Sequence, residues 1–313
     1  MQEDLFTSGR NLPNIDPSLH AWHWPISIDL FFGGLAAGLL FIAALFYLIG
    51  KEKEMPAAVK IAPIVAPIGI VIALLCLFYD LTHKFYFWRL YMTFRLESPM
   101  SFGSWVLLFI TPLSFLWVFS FWRELYPNFI FNYRWIVAIE NFSIRYRKEI
   151  AILLLPLALS LGVYTGILLS AFNARPLWNN AILGPLFLTS GLTTASAVVL
   201  FFSKSEIERK LFSKILLGCI GLQLFLFFHM LMGYFSSSEA QLIAAQLLFE
   251  GEFTLWFFGG VLFLGLIVPG LIEIAELFGY RISVAIPALL VLLGGILFRF
   301  IMVDAGQMSQ YIY

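Results

Sequence analysis

Asp29 is the residue of this sequence whose chemistry most needs an explanation. It lies in the apolar run 22–47, about one helical turn after an aromatic start that contains Pro25. A carboxylate at the centre of a membrane helix costs roughly 2.5–3.5 kcal/mol on insertion scales, and less near a helix end. Asp29 therefore needs a protein partner or a role in binding or proton transfer; the alternative is a carboxylate that reaches the membrane interface or caps a neighbouring helix.

Two further candidates follow the second apolar run. Asp80 and His83 stand three residues apart, a spacing that places two side chains on one face of a helix. Histidine changes its protonation near neutral pH, so this pair suits proton transfer. The segment 80–105 has aromatic and basic residues at helical spacing, which predicts a helix lying along the membrane surface. An aromatic belt with basic anchors is the alternative for its aromatic residues.

Three polar residues near the ends of later apolar runs complete the candidates. We expect Tyr164 to make a hydrogen bond, because a buried hydroxyl usually finds a partner, and simple packing is the alternative. Arg299 and Asp304 close the last apolar run. An ion pair between these two residues is the alternative to a site role.

The histidines and cysteines lack the arrangement of a redox centre. Of the four histidines, only His229 lies well inside an apolar run, whereas a haem held across a helix bundle needs paired axial ligands. The two cysteines, Cys76 and Cys219, are isolated and lack metal-ligand spacing. We therefore expect no haem, iron–sulfur cluster, metal site or disulfide in this protein.

The composition is that of an integral membrane protein. Hydrophobic residues make up 61% of the chain and charged residues 12%, whereas about a quarter of the residues in a soluble domain are charged. The nineteen basic and nineteen acidic residues cancel. The net charge therefore favours neither nucleic acid nor an acidic substrate as a partner.

Eight apolar runs must position the polar candidates, and each has the length of about 20 residues that a membrane span needs. Because lipid offers backbone groups no hydrogen-bond partner, each run is expected to form a helix. The sequence predicts an all-α polytopic membrane protein, with one membrane domain over residues 1–313 and no soluble domain. The predicted helices cover about 25–49, 61–81, 102–122, 149–171, 183–203, 213–235, 253–272 and 283–303.

The basic residues predict the orientation. The loops on one side carry thirteen Lys and Arg residues, and the termini with the other loops carry six. The positive-inside rule places the thirteen-residue side in the cytoplasm and both termini outside the inner (cytoplasmic) membrane. The candidates above then lie toward the outer side. On the inner side, Glu273 and Glu276 are predicted to be interfacial, and Gln223 with Glu273 would form only a sparse inner proton route.

A short motif occurs twice in the same membrane direction. Residues 31–35 (FFGGL) resemble residues 188–192 (LTSGL), four spans later. A duplication would give two four-helix bundles side by side. A chance match is the alternative.

Taken in series, the motifs resemble the NrfD/PsrC-like (polysulfide reductase NrfD) family of membrane subunits. Each motif is loose alone, but together they cover nearly the whole chain in the expected order. The matching pieces are WHWPISIDLFFGGLAAG at 22–38, the segment 80–105 with FWRLY and SPMSFGSW, YTGILLS and PLWN within 164–179, PLFLTSGL at 185–192, FFGGVLFLGLIVPGLIE at 257–273 and LFRFIMVDAGQ at 297–307.

The resemblance implies a quinone-binding membrane subunit of a respiratory oxidoreductase complex. Members of the family bind a quinone, often menaquinone, near one membrane face. They work with a four-cluster iron–sulfur subunit, expected here on the outer face, and with further catalytic subunits. The protein would exchange electrons between the quinone pool and that partner with coupled proton transfer, and would not be active alone. The alternatives are a transporter-like subunit that translocates ions or protons and a purely structural anchor.

The resemblance also implies roles for individual residues. Asp29 stands where the family motif has a histidine near the quinone, and this departure would make a carboxylate the proton-exchanging group. Asp29, Asp80 and His83 are expected to transfer protons. Asp80, His83 and Arg89 match the motif after helix two and are expected to shape the site or the surface that faces the partner. The residues expected to bind the quinone headgroup or to shape its site are His23, Asp29, Tyr164, Arg89 and Arg299.

Overall fold

The computed structural model describes residues 22–95, 97–129, 133–280 and 282–309. Within these ranges, eight helices are long and apolar enough to cross a membrane, which confirms the predicted all-α membrane fold. The basic residues Arg10 and Arg281 and both termini, on which the predicted orientation partly depends, lie outside the described residues. Numbered from one to eight, the helices are Trp24–Leu48, Ala57–Asp80, Pro99–Leu125, Arg147–Ser170, Leu183–Phe202, Glu206–Phe235, Leu255–Leu277 and Ala285–Met308.

The outer end of the bundle is the end where helix one begins, and the inner end is the opposite end, which carries most of the basic loops. These names follow the predicted orientation.

Helix two begins before the predicted position and changes its helical type along its length. It opens as a π-helix over Ala57–Ile61 and a 3₁₀ turn over Ala62–Ile64, and continues as an α-helix over Val65–Asp80. Pro63 lacks the N–H group that an α-helical ladder requires, and its ring crowds the preceding turn. The proline at position 63 therefore explains why the helical type changes here.

Helices three and six extend beyond the predicted apolar runs because their ends are polar. Helix six begins at Glu206, rather than near 213, with two glutamates in its first turn, where negative charge is favourable. Helix three begins at Pro99, and the Ser98 hydroxyl accepts a hydrogen bond from the Ser101 N–H. This arrangement confirms that the Ser-Pro motif starts a helix.

The predicted surface helix in the segment 80–105 is wrong. The α-helix ends at Asp80, Leu81 is extended, and only a 3₁₀ turn at Lys84–Tyr86 and a short helix at Arg89–Met92 follow. His83 precedes the 3₁₀ turn with non-helical backbone angles, so it does not share a helical face with Asp80. Aromatic residues favour helix only weakly, and spacing alone did not show that the backbone leaves the helix at Leu81.

Helices one and five occupy the centre of the bundle. Helix one packs against helices two, four, five and eight, and helix five packs against helices one, four, six and eight. Glycines permit the central crossing: a Cβ on Gly38 would lie 2.4 Å from the Gly191 carbonyl oxygen. Small residues commonly allow such close approach between membrane helices. The arrangement in two separate bundles stays a prediction.

Two buried carboxylates join neighbouring helices at the inner end of the bundle. The Glu208 side chain, on helix six, accepts a hydrogen bond of 2.9 Å from the Ala58 N–H at the start of helix two. Glu140, on a further helix at Arg134–Arg145, pairs with Arg123 at 2.6 Å. Both glutamates are at most 1% exposed. Each carboxylate therefore replaces its lost hydration with a donor from a neighbouring element.

Glu273 of helix seven is also buried, with 0% exposure. The prediction that it is interfacial is therefore wrong.

Candidate functional site

Four of the predicted site residues lie together at the outer end. Asp29 on helix one interacts electrostatically with Asp80 at the end of helix two and with Tyr164 on helix four. Asp80 in turn interacts with His23, which immediately precedes helix one. The packing of helix one against helices two and four brings these residues into one place. We call His23, Asp29, Asp80 and Tyr164 the Asp29 cluster.

The Asp29 side chain is half-buried and available to a ligand. Among the residues that the structure describes, neither its carboxylate nor the Tyr164 hydroxyl has a hydrogen bond or ion pair. The nearby Asp80 is also half-buried, and two ionised carboxylates close together repel each other. The cluster is therefore suited to holding a proton between its carboxylates and a bound polar group.

Gly103 determines the position of the Tyr164 ring. A Cβ on Gly103, on helix three, would lie 1.9 Å from Cζ of Tyr164, so the ring passes directly over the glycine backbone. The Phe102 ring lies beside it, with the ring centroids 6.5 Å apart. Sequence reasoning treated this glycine only as part of a helix start. The sequence did contain one signal for this role. Glycine destabilises the interior of a helix relative to alanine, so a glycine at this position suggests a close contact.

Cys76 is a second neighbour of the cluster that sequence reasoning did not assign to a site. Its thiol, on helix two, interacts electrostatically with Asp29. It lies four residues before Asp80, about one helical turn. Across the described part of the protein, no group of three or more His, Cys, Asp and Glu side chains is placed to hold a metal ion.

His83 and Arg89 lie on the exposed segment that follows helix two. Together with Arg95, they line an open cavity of about 500 Å³ in the segment that follows helix two. The Arg89 guanidinium stacks on the Tyr86 ring, 4.6 Å from its centroid. The structure places both residues on this exposed surface, while Asp80 is in the Asp29 cluster.

Arg299 lies in the interior, where helices one, five and eight meet. It is 1% exposed, and its Nη1 atom donates to the Ser190 hydroxyl at 2.7 Å. Its Nη2 atom donates to the Phe187 carbonyl oxygen at 3.3 Å, and the guanidinium lies 4.4 Å from the centroid of the Phe187 ring. A Cβ on Gly34 would be 3.2 Å from Nη2. Helix five thus supplies the acceptors for this buried cation.

The start of helix one is held by the end of helix eight. The Trp22 N–H donates to Oε1 of Gln307 at 2.7 Å, and Nε2 of Gln307 donates to the Trp22 carbonyl oxygen at 2.8 Å. This paired contact fixes the backbone immediately before His23. Gln307 therefore positions one side of the Asp29 cluster, a role that its sequence surroundings did not indicate.

The loop between helices four and five closes the neighbouring part of the outer end. Arg175 donates to the carbonyl oxygens of Gln307 and Ser309 at 2.7 and 3.0 Å. Trp178 donates to the Met302 carbonyl oxygen at 2.6 Å. Partial burial lowers the pKa of the Arg175 guanidinium, which still remains charged near neutral pH. The loop therefore joins helix eight to helix four.

Comparison with known proteins agrees with the whole-length resemblance seen in the sequence motifs. The sequence signature described as "Polysulphide reductase, NrfD" matches residues 12–310. The chain belongs to this family. The predicted family is thus confirmed across nearly the whole sequence, and the membrane helices described above are those of an NrfD family member.

Three relatives match over almost their full length. The C subunit of polysulfide reductase from Wolinella succinogenes is 31% identical over 304 residues, a match that spans 91% of this protein and 94% of the relative. Protein NrfD of Escherichia coli is 29% identical over 310 residues, spanning 92% and 95%. The NrfD homolog of Haemophilus influenzae is 27% identical over 323 residues, spanning 95% and 98%.

Proposed function

We propose that this NrfD family member is the quinone-reactive membrane subunit of a respiratory oxidoreductase complex. The observation that carries the proposal is the Asp29 cluster, in which two carboxylates, a histidine and a tyrosine hydroxyl meet at one end of an apolar bundle. A site of this kind suits a ligand with a polar headgroup and an apolar tail. One of the relatives is named as a subunit of polysulfide reductase, which favours an oxidoreductase complex.

The residues of the cluster fit a quinone headgroup. A quinone presents two carbonyl oxygens, which need hydrogen-bond donors. The Tyr164 hydroxyl is a donor, and a protonated Asp29 carboxyl group would be a second. Both are half-buried, and neither makes a hydrogen bond or ion pair with another described residue. Menaquinone is proposed as the quinone from the family resemblance.

A bound quinone supplies two-electron chemistry coupled to two protons. In this proposal, Tyr164 orients the headgroup, with Gly103 keeping its ring in place. Asp29 exchanges protons with the headgroup, and Asp80 and His23 connect Asp29 to the outer solvent. Carboxyl and imidazole groups can serve this purpose when their protonation equilibria lie near the working pH. His83 and Arg89 are assigned to the outer surface, where an iron–sulfur partner subunit would dock.

Substitution of Asp29 tests the proposal in the intact complex. Asp29→Asn keeps the size of the side chain and removes its ionisable group. We expect quinone-linked turnover to fall by about 10²–10⁴-fold, the contribution typical of a general acid or base. The assay would use reduced benzyl viologen as electron donor and 2,3-dimethyl-1,4-naphthoquinone as acceptor, with complex purified through a tag on this subunit.

Glu252→Gln is the matched control. Glu252 is an exposed carboxylate before helix seven, outside the Asp29 cluster and not in the lining of the cavity that contains His83 and Arg89. Its substitution should leave turnover at the wild-type value. Wild-type turnover in the Asp29→Asn complex would exclude proton exchange at Asp29, and absence of quinone-linked turnover in the wild-type complex would contradict the proposed function itself.

A further inference from the structure

The open cavity that follows helix two has the chemistry of an anion site. Its volume is about 500 Å³, and Arg89, Arg95 and His83 bring nitrogen atoms to its lining. Hydroxyl groups also line it, from Thr82, Tyr86, Thr93, Ser98 and Ser101. Among the described residues of the lining, none is acidic. An anion in this space would therefore meet basic and hydroxyl groups and no carboxylate of the lining.

The two arginines of the cavity are not neutralised by neighbouring carboxylates. Neither Arg89 nor Arg95 has an ion pair with a described residue. The Arg89 guanidinium stacks on the Tyr86 ring, 4.6 Å from its centroid. Stacking uses the flat face of a guanidinium and leaves the N–H groups at its edge free to donate. Both arginines therefore carry positive charge that a ligand can use.

Helix three holds one wall of the cavity in place. The Arg95 N–H donates to the Ser101 hydroxyl at 3.0 Å, and this hydroxyl donates to the Thr93 carbonyl oxygen at 2.8 Å. The Ser104 hydroxyl donates to the Leu90 carbonyl oxygen at 3.1 Å. The backbone that carries the two arginines is thus fixed against the first turns of a long helix, whose start also favours negative charge.

Apolar contacts join the cavity to the sides of the helix bundle. Phe87 lines the cavity and contacts Phe78 of helix two, with the ring centroids 5.9 Å apart. Phe94, next to Arg95, contacts Trp105 of helix three at 5.6 Å. Phe78 is 43% exposed in the last turn of a membrane span, and aromatic residues at span ends lie at the membrane interface. The cavity is therefore at the level of the phospholipid headgroups.

The most exposed side chains around the cavity are apolar. Phe85 is 93% exposed, Met92 78% and Phe94 63%. Large apolar side chains of this kind are stabilised at the boundary between headgroups and acyl chains, where they bury their surface. A small anion in water would use only the basic groups. The combination of basic and apolar groups favours a ligand that has both a phosphate and acyl chains.

We propose that this cavity binds the headgroup of an anionic phospholipid, with phosphatidylglycerol as the model ligand. Arg89 and Arg95 bind the phosphate oxygens, since a guanidinium presents paired N–H donors to a phosphate. His83 and the hydroxyl groups hydrogen-bond the glycerol, and the acyl chains leave past Phe87 along helices two and three. The inference goes beyond the proposed function and does not require a bound quinone. The headgroup would lie at the membrane edge of the surface proposed for the iron–sulfur partner.

Photo-crosslinking of the purified complex in lipid nanodiscs tests the site. The discs contain phosphatidylcholine with about 10 mol% of phosphatidylglycerol that carries a diazirine beside its glycerol, enough to supply the anionic headgroup. We expect this lipid to label peptides from residues 81–101 at several times the rate of phosphatidylcholine with the same diazirine. Equal labelling by the two lipids would show an ordinary boundary lipid and overturn the proposal.

Single substitutions locate the binding groups. Arg89→Ala and Arg95→Ala should each lower the labelling by about tenfold, because each removes charged hydrogen bonds to the phosphate. Lys84→Ala is the matched control: Lys84 is an exposed cation of the same segment, lies 5.0 Å over the Tyr79 ring and does not line the cavity. It should lower the labelling by no more than about twofold, since salt screens its charge. Equal losses in all three variants would show attraction to general positive charge, and no specific site.

Two other occupants are outcomes of the same experiment. Inorganic phosphate at about 10 mM should leave the labelling unchanged, because it lacks acyl chains and its charge is screened. Loss of labelling would assign the cavity to a free anion. If the arginine variants lose the partner subunit, and the wild-type complex is labelled equally by both lipids, the cavity belongs to the partner interface. If a variant does not assemble, the lipid comparison and the phosphate competition in the wild-type complex decide the question.

Discussion

Gly34 of helix one and Gly191 of helix five lie backbone to backbone. A Cβ on Gly191 would be 2.5 Å from the Gly34 carbonyl oxygen. These are the two glycines that align when the FFGGL and LTSGL motifs are superimposed, so the repeated motif meets its own copy at the centre of the bundle. A close contact between equivalent positions is the expected result of a local two-fold relationship between the two halves of the protein.

Substitution of Gly191 by alanine should therefore destabilise the protein. The added methyl group meets backbone atoms, which cannot move aside as a flexible side chain would, and overpacking of this kind typically costs about 1–3 kcal/mol. Gly218→Ala is the control, because a Cβ there meets nothing within 4 Å. The comparison is made by thermal unfolding of the purified protein in detergent. Equal melting temperatures for the two variants would show that the crossing can relax.

Gly103→Ala should impair quinone-linked turnover by displacing Tyr164. The new methyl group would overlap the tyrosine ring, and a displacement of about 1 Å at a reacting site can reduce the rate by about 10²-fold. Gly221→Ala, on an open face of helix six, should keep the wild-type rate. If Gly103→Ala is as active as wild type, Tyr164 does not need its present position for the reaction.

The Arg299–Ser190 hydrogen bond should contribute measurably to stability. Ser190→Ala removes the acceptor of a charged donor, a change that costs about 1.5–3 kcal/mol. The exposed Ser236→Ala change should cost much less. In a double-mutant cycle with Arg299→Met, which has no donor group, the two changes should be non-additive, because both remove the same interaction. Strict additivity would mean that Ser190 and Arg299 act independently.

Glu208 of helix six should stabilise the start of helix two through its hydrogen bond with the Ala58 N–H. Glu208→Ala leaves the Ala58 N–H without its acceptor, at an expected cost of about 1–3 kcal/mol. Glu206→Ala removes a surface pair with Lys210, in which the glutamate side chain is 80% exposed, and should change stability by less than about 1 kcal/mol. Similar losses in thermal unfolding for both variants would contradict the assigned role of Glu208.

The sequence was sufficient to predict the eight spans and the family, because both depend on properties of continuous segments. Twenty apolar residues in a row have few structural alternatives in a membrane. Segment ends were harder to predict. Helix six continues through the polar turn that begins at Glu206 because a helix needs backbone hydrogen bonds, rather than apolar side chains, to extend. The segment after Asp80 has the residue types of a surface helix, but its backbone leaves the helix at Leu81.

The candidate site was predictable only in part. Asp29, Asp80, His23 and Tyr164 were singled out one by one, as polar residues in or beside apolar runs, and they lie together. His83 and Arg89 line the exposed cavity after helix two, and their roles stay predictions, since a sequence pattern gives no distance between helices. Gly103, Gln307 and Cys76 were missed because their importance depends on what another helix brings against them.

At the outer end, three side chains donate hydrogen bonds to backbone carbonyl oxygens, so only the donor of each contact is a side chain. Arg175 and Trp178 donate to main-chain oxygens of helix eight and the residue that follows it, and the Tyr234 hydroxyl donates to the Leu177 carbonyl oxygen. A carbonyl oxygen is present whichever amino acid occupies the position. Homologous or engineered proteins can therefore vary the side chains at 177 and 302 and still retain these acceptors, whereas a change at any of the three donors removes its contact.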